Sequence, residues 1–182
     1  LRADATFRNR GLRVDAASGY LLDARAERIT AWIDDLDQAT VRVKSQIKGP
    51  GATLWRALKD SPVGRELGED LPDLRISGVN TLDLDLTIPL PVNAHTNRVK
   101  GQVGLLGGNV ILPGWSLELG RLRGEVHFTE ANLYAKNVQA LLRGEPIRLD
   151  LDLIGREGRR ELQTRLQGRL GLRALVGEST AT

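Results

Sequence analysis

The sequence predicts a mainly β protein, built from antiparallel strands with two or three short helices. Apolar and polar residues alternate along most of the chain, which is the pattern of a strand with one buried face. The clearest example is TLDLDLTIPLP, residues 81–91, in which leucines and Ile88 share one face and aspartates occupy the other. Glycine recurs along these strands, which favours a bent sheet over a flat one. The positions are Gly78, Gly101, Gly104, Gly107, Gly108, Gly120 and Gly124.

The first clear hairpin is predicted over residues 30–47, with its turn at Asp35-Leu36-Asp37. Such a turn places the apolar residues of both strands on one face and polar residues on the other. The pairs that follow are Ile33 with Ala39, Ala31 with Val41, Ile29 with Val43, Trp32 with Thr40, and Arg28 with Lys44.

Helical spacing is confined to three short segments. Residues 53–59 put Leu54 and Leu58 on one helix face. Ser61-Pro62 has the composition of a helix start, and predicts a second helix that ends near Gly68. A third short helix is predicted after Gly171.

Five further strands are predicted between residues 74 and 142. Their ranges are 74–90, 98–105, 110–112, 116–128 and 133–142. In the last two, the apolar residues change from odd to even positions partway along. A β-bulge or tight bend near Gly120 and another near Asn137 would keep the apolar side chains on one face.

The last hairpin is predicted over residues 147–170, with its turn at Glu157-Gly158, where glycine can adopt a positive φ. This register sets apolar residues against each other and an aspartate against an arginine. The pairs are Leu153 with Leu162, Leu151 with Thr164, Leu149 with Leu166, and Asp150 with Arg165.

A weak internal repeat accompanies these elements. FRNRGLRV from Phe7 matches FTEANLYA from Phe128, and IKGPGATLWRAL from Ile47 matches LQGRLGLRAL from Leu166. Two matches in the same order indicate a repeating β-rich unit. We therefore expect residues 1–182 to be one β segment made of two units, residues 1–68 and residues 69–182. The chain begins with Leu and contains no Met, so we expect a piece of a longer protein.

Composition argues against several functional classes. The sequence has no cysteine, which excludes disulfides and thiolate metal sites. The net charge is +3, but the basic residues are interleaved with acidic ones, and only 4% of residues are aromatic. Both observations argue against nucleic-acid binding. His95 and His127 have no partners at metal-site spacing. Asp83 and Asp85 lie in an L-D-L-D-L pattern that recurs at Asp150 and Asp152, so we interpret them as the solvated side of a strand. We predict no enzyme activity, no cofactor and no metal. We interpret the three tryptophans as core or edge packing, with interfacial anchoring as the alternative.

The alternation of residues does not determine what the leucine side of the strands contacts. Two sheets that pack face to face would bury it in a sandwich. A single curled sheet would instead form a trough that holds an apolar ligand, because soluble proteins rarely leave large apolar areas in water. Both arrangements have the same alternation.

Two stretches carry a family resemblance. They are SPVGRELGEDLPDLRISGVNTLDLDLTIPLP, residues 61–91, and NRVKGQVGLLGGNVILPGWSLELGRLRGEVHFTEANLYAKNVQALLRGEPIRLDL, residues 97–151. Their features are a strand ending in I-P-L, then V-K-G, then N-x-x-L-P, then L-x-G-x-V-x-F-T-x-x-x-L-x-A. In these features the chain resembles the YhdP-like proteins of the AsmA-like family of bacterial envelope proteins.

The resemblance implies a curled antiparallel sheet with an open apolar groove, shaped as a half-pipe, that carries phospholipid acyl chains across the periplasm. Expected partners are a phospholipid, neighbouring groove segments of the parent chain, and the inner membrane of a Gram-negative bacterium through an anchor elsewhere in the parent. Unpaired edges predict self-association. The alternative is a closed sandwich that serves as a structural module of the envelope. Alternation assigns the groove wall to Leu82, Leu84, Leu86, Ile88, Val103, Leu105, Leu149, Leu151, Leu153, Leu162 and Leu166.

Overall fold

Alternating residues fold into strands along nearly the whole of the chain that the computed structural model describes, which is residues 2–60, 73–90, 97–156 and 159–168. The strands are β1 (Arg2–Arg8), β2 (Gly11–Leu21), β3 (Ala24–Ile33), β4 (Thr40–Pro50), β5 (Arg75–Ile76), β6 (Val79–Pro89), β7 (Arg98–Leu112), β8 (Leu117–Thr129), β9 (Leu133–Leu142), β10 (Glu145–Arg156) and β11 (Arg159–Gly168). One α-helix, α1 (Gly51–Asp60), and two 3-10 turns, Leu36–Gln38 and Pro113–Trp115, complete these ranges.

The described strands form a single antiparallel sheet in the order β1-β2-β3-β4-β6-β7-β8-β9-β10-β11, with β5 paired to β7. Strands β1 and β11 stand at opposite ends of this order, so the sheet is open. The prediction of a mainly β, antiparallel, open sheet is confirmed. The closed sandwich is wrong for the described residues, because a sandwich needs a second sheet.

The helix prediction at residues 53–59 is confirmed, and α1 is slightly longer. Its first turn is held to the sheet by two bonds. The Gly51 N–H donates to the Gly78 carbonyl at 2.9 Å, and the buried Thr53 hydroxyl donates to the Asp23 carboxylate. The helices predicted at residues 61–68 and after Gly171 lie outside the described residues.

The hairpin of β10 and β11 has the predicted register, from Leu153 opposite Leu162 to Leu149 opposite Leu166. The hairpin of β3 and β4 is shifted by two residues from the prediction, with Ile33 opposite Val41 and Ala31 opposite Val43. The cause is the 3-10 turn at Leu36–Gln38, which makes the connection longer than the predicted tight turn. A shift of two residues preserves the face on which each side chain lies, so the apolar face is unaffected.

Two strand boundaries also differ from the predictions. The predicted strand 74–90 is divided into β5 and β6 at Gly78, which has a φ of +83°. The predicted strands 98–105 and 110–112 are one strand, β7, which continues through a register shift at Gly108. Because glycine lacks a Cβ, Gly78 can adopt its positive φ, and Gly108 leaves room for the Ser77 carbonyl group.

A line of irregularities crosses five neighbouring strand positions, and we call it the crease. It starts at Gly78 and passes through Gly107, which has a φ of +97°. It continues through Arg121 at 51° and Asn137 at 53°, next to the two predicted bends, which are therefore confirmed. The register of β10 against β9 shifts between Leu149 and Leu151, where the crease ends. Bulges bend strands and increase their twist, so the crease is where this sheet departs from planarity.

Side chains accept the backbone N–H groups that the crease removes from the regular ladder. The Asn109 side-chain oxygen accepts the Arg121 N–H at 3.1 Å. The Asp150 carboxylate accepts the Asn137 N–H at 2.8 Å, and the Ser77 hydroxyl accepts the Asn109 N–H at 3.2 Å. Each bond gives an N–H group a partner within the sheet where the ladder is interrupted, so the three bonds help to fix the bend.

We expect Gly108→Ala to lower the free energy of unfolding by about 1–3 kcal/mol, the usual cost of overpacking. A Cβ at this position would overlap the Ser77 carbonyl group, which is backbone and cannot rotate away. Gly114→Ala is the matched control, because a Cβ there meets nothing within 4 Å. Urea unfolding of both variants measures the difference, and equal stabilities would show that β5 is not held against β7 as described.

Candidate functional site

The predicted wall residues of β6, β7 and β10 lie on one face of the sheet. Register links them strand by strand in a continuous row. The row runs from Ile47 to Leu82, Val103, Val126, Ala135, Leu151 and Thr164. Because directly opposed residues in a sheet share a face, two leucine runs that are far apart in sequence belong to one surface. We call this surface the apolar face.

The apolar face contains two clusters of packed side chains. The first, which we call the helix-side cluster, joins Leu54 of α1 to Ala26, Ile47, Leu82, Val99 and Phe128. The second, the bulge-side cluster, contains Leu119, Leu122, Ala135, Val138, Ala140 and Ile147. Leu84, Leu86 and Val103 pack against the first cluster, and Leu105, Leu149 and Leu151 pack against the second.

The wall residues differ in how far the protein covers them. Leu82 is 9% exposed and belongs to the helix-side cluster. The half-buried members are Leu84, Leu86, Ile88, Val103, Leu105, Leu149, Leu151 and Leu153. Leu166 lies on the edge strand β11 and is 48% exposed. Leu162 pairs with Leu153, while its side chain lies outside the described part of the chain.

Several members of the apolar face were not among the predicted wall residues. Leu12, Val14, Ala31, Ile33, Val41 and Val43 extend it over β2, β3 and β4, as their pairings require. Their alternation was readable in the sequence. Phe128 and Val138 were harder to assign, because the bulges of β8 and β9 change the parity of the apolar positions within each strand.

Phe128 fills space above a glycine on the next strand. Its partner in the register is Gly101, and a Cβ on Gly101 would overlap the Phe128 ring. The ring is only 5% exposed, so it is covered by the helix-side cluster as well. An aromatic ring that covers a strand glycine compensates for the missing side chain and helps to pin the register.

The opposite surface, which we call the polar face, carries matched charges. Register aligns Asp15, Thr30, Lys44, Asp85 and Lys100 across five strands. Lys44 and Asp85 form an ion pair at 3.4 Å. The Arg13 guanidinium donates to the Asp15 carboxylate at 2.7 Å, and the Thr30 hydroxyl donates to it at 2.9 Å. These hydrogen bonds hold the pKa of Asp15 below its ordinary value.

A cavity of about 570 Å³ opens on the polar face, and its lining includes Arg28, Lys44, Asp83, Lys100 and His127. His127 also stacks on Tyr134, with ring centroids 4.9 Å apart. His95 lies outside the described residues. No group of three or more metal-ligating side chains occurs among the residues that the structure describes.

The tryptophans only partly match the prediction of core or edge packing. Trp32 and Trp55 are half-buried. Trp115 is 61% exposed, so core or edge packing is wrong for this residue, and the interfacial alternative stays a prediction. This residue lies in the Pro113–Trp115 turn between β7 and β8, which extends past the last paired residues of both strands.

These features define an open, single-layer antiparallel sheet with one apolar and one charged side. The model of the YhdP protein family matches residues 1–181, and the chain belongs to that family, which confirms the resemblance found in its motifs. The chain is 28% identical over 163 residues to the intermembrane phospholipid transporter YhdP of Escherichia coli K12. The aligned part covers 90% of this chain and 13% of that protein. No solved structure matches the chain.

Proposed function

We propose that the chain is one segment of a phospholipid conduit between the inner and outer membranes, in which the apolar face holds acyl chains. The observation that carries the proposal is the row from Ile47 to Leu151, which makes the apolar face continuous across six strands. The Escherichia coli relative is an intermembrane phospholipid transporter, which supports the same conclusion. That relative is a transporter, which supports a non-enzymatic role.

Half-burial of the wall residues fits this role. A fully sealed face would leave no room for hydrocarbon, and a fully exposed one would be costly in water. Leu84 and Leu86 of β6 and Leu149 and Leu151 of β10 are instead half-buried and pack against the two clusters. Each methylene that a lipid buries on such a surface contributes about 0.8 kcal/mol, without a specific pocket. Many equivalent contacts allow a chain to bind and still move along the face.

The proposed function also implies a cellular location and an attachment for this segment. We propose that the segment lies in the periplasm and that an anchor elsewhere in the parent chain holds it at the inner membrane. The described part of the chain contains no candidate membrane-spanning helix.

The outer strands β1 and β11 each pair on one side only in the described sheet. Unpaired strand edges attract further strands. We propose that neighbouring segments of the parent pair with these edges, and that the 182-residue chain alone self-associates through them. A strictly monomeric sedimentation profile at high concentration would contradict the second statement.

Site-specific photo-crosslinking tests the proposal for the apolar face. A photoreactive residue at Leu84 or at Leu151 is expected to form adducts with phospholipid when the chain is purified from a Gram-negative host. The two positions lie against different clusters, so adducts at both would indicate that lipid reaches both halves of the face. Mass spectrometry of the adducts identifies the lipid class.

Matched controls exist on the same strands. Asp83 and Asp152 lie next to the test positions, and alternation puts their side chains on the polar face. Photoreactive residues there are expected to give no lipid adducts. Equal labelling from both faces would indicate nonspecific contact with membranes, and an absence of adducts from Leu84 and Leu151 would reject the proposal.

A further inference from the structure

The exposed Trp115 stands at the end of the bulge-side part of the apolar face. Leu112 and Leu117 pair at the base of its turn. Leu117 and Val110 pack against the bulge-side cluster. The apolar face therefore continues up to this turn without an intervening polar pair. Ser116 closes the turn through its N–H, which donates to the Pro113 carbonyl at 3.1 Å, and its φ is 48°.

The composition of this turn is unusual for a strand connection. Turns are normally polar, and their residues are selected for backbone conformation. Pro113 and Gly114 meet that need, whereas an exposed tryptophan contributes nothing to it. Two other described connections also expose an apolar residue, Leu22 at 61% and Leu36 at 49%, but neither combines the apolar body with a side-chain N–H donor as Trp115 does. Trp115 is therefore available for contact with something outside the described chain.

The chemistry of the indole ring indicates which kind of molecule Trp115 contacts. Tryptophan has a large apolar body and one N–H donor, and it is enriched where an apolar region meets water. At the end of strands whose apolar side holds acyl chains, this boundary is the glycerol and ester region of the bound lipid. Ester carbonyls accept hydrogen bonds, and the indole N–H donates one.

We propose that Trp115 is an interfacial contact for the phospholipid, against which the glycerol-ester region of a lipid in the bulge-side half of the apolar face rests. This inference rests on the proposed function. It adds that the polar part of the lipid lies at the end of the strands where β7 and β8 are connected. It also assigns a role to a residue outside the predicted groove wall.

The three tryptophans of the chain make the test self-contained. A variant that retains only Trp115 is made with Trp32→Phe and Trp55→Phe, and a matched variant retains only Trp32, which lies on the polar face. Each variant is loaded from detergent with one of two phosphatidylcholines, which is brominated either close to the glycerol ester or close to the chain ends. Gel filtration then removes the vesicles. Bound lipid is counted separately by phosphorus analysis, and far-UV circular dichroism checks the fold.

On lipid loading, the fluorescence emission of the Trp115-only variant is expected to shift to shorter wavelength. Lipid brominated near the ester is expected to quench most of this emission, and lipid brominated near the chain ends is expected to quench less of it. The Trp32-only variant is expected to change with neither. In the otherwise native chain, Trp115→Ala is expected to weaken lipid retention by about three- to tenfold.

The outcomes separate the two proposals. Bound lipid with unchanged Trp115 emission would overturn this inference and leave the conduit intact. An absence of bound phosphorus would overturn the conduit, and this inference with it. Quenching of Trp115 by intact brominated vesicles but not by bound lipid would also overturn the inference, because the residue would then contact a membrane surface.

Discussion

Phe128→Ala is expected to lower the free energy of unfolding by about 3–5 kcal/mol, the usual cost of removing a buried aromatic side chain. The ring is 5% exposed and covers Gly101, so its loss uncovers backbone as well as creating a cavity. Urea unfolding followed by circular dichroism measures the change.

Phe7 provides the control for this prediction. It opposes Leu12 at the end of the β1–β2 hairpin, as Phe128 opposes Leu133 at the end of the β8–β9 hairpin. Yet Phe7 is 72% exposed. Phe7→Ala is therefore expected to change the stability by less than about 0.5 kcal/mol, as is usual for surface positions. Similar losses in the two variants would contradict the assignment of Phe128 to the helix-side cluster.

A double-mutant cycle sharpens the same prediction. Gly101→Ala alone is expected to be destabilising, because the new methyl group would overlap the Phe128 ring. In a Phe128→Ala background the same substitution has room, so the two effects are expected to be non-additive by about 0.5–3 kcal/mol. Additive effects would mean that the ring does not lie over Gly101.

Leu84→Arg is expected to weaken phospholipid binding by about a hundredfold, because an arginine in hydrocarbon costs about 2.5–3.5 kcal/mol. Leu84 lies between two small partners in the register, Ser45 on β4 and Gly101 on β7. The side chain is half-buried, so the substituted residue reaches solvent and the sheet is expected to remain folded. Lipid retained after purification, measured as phosphorus per protein, gives the effect.

Asp83→Arg is the matched control for Leu84→Arg, since it places the same side chain one residue away on the polar face. It is expected to leave lipid retention unchanged. Leu151→Arg repeats the test in the bulge-side half and is expected to give a comparable loss. Full retention of lipid by a folded Leu84→Arg variant would remove the apolar face from the proposed conduit.

The particular errors of the sequence predictions have physical causes. The β10–β11 register was predictable because alternation and the turn residues specified the same pairing. The β3–β4 register was wrong by two residues, because alternation is unchanged by such a shift and a 3-10 turn could replace the tight turn. The break at Gly78 was not predicted, since a single glycine within a strand is compatible with either a bulge or a continuous strand.

The exposure of Trp115 could not be read from the sequence either. The predicted strands 110–112 and 116–128 already placed Trp115 in a connection, but tryptophan is apolar enough that composition assigns it to packing rather than to solvent. The two bends near Gly120 and Asn137 were predictable, by contrast, because a change of parity within one strand requires an extra residue.

The sequence by itself determined the strands, the face to which most side chains point, and the family, because these depend on residue order over short stretches. Only the tertiary structure decided that the sheet stays open and that Leu82 and Leu151 lie in one row. It also decided that the bulges of successive strands align into a crease and that Phe128 covers Gly101. Those features depend on register between strands, which period-two alternation leaves free in steps of two residues.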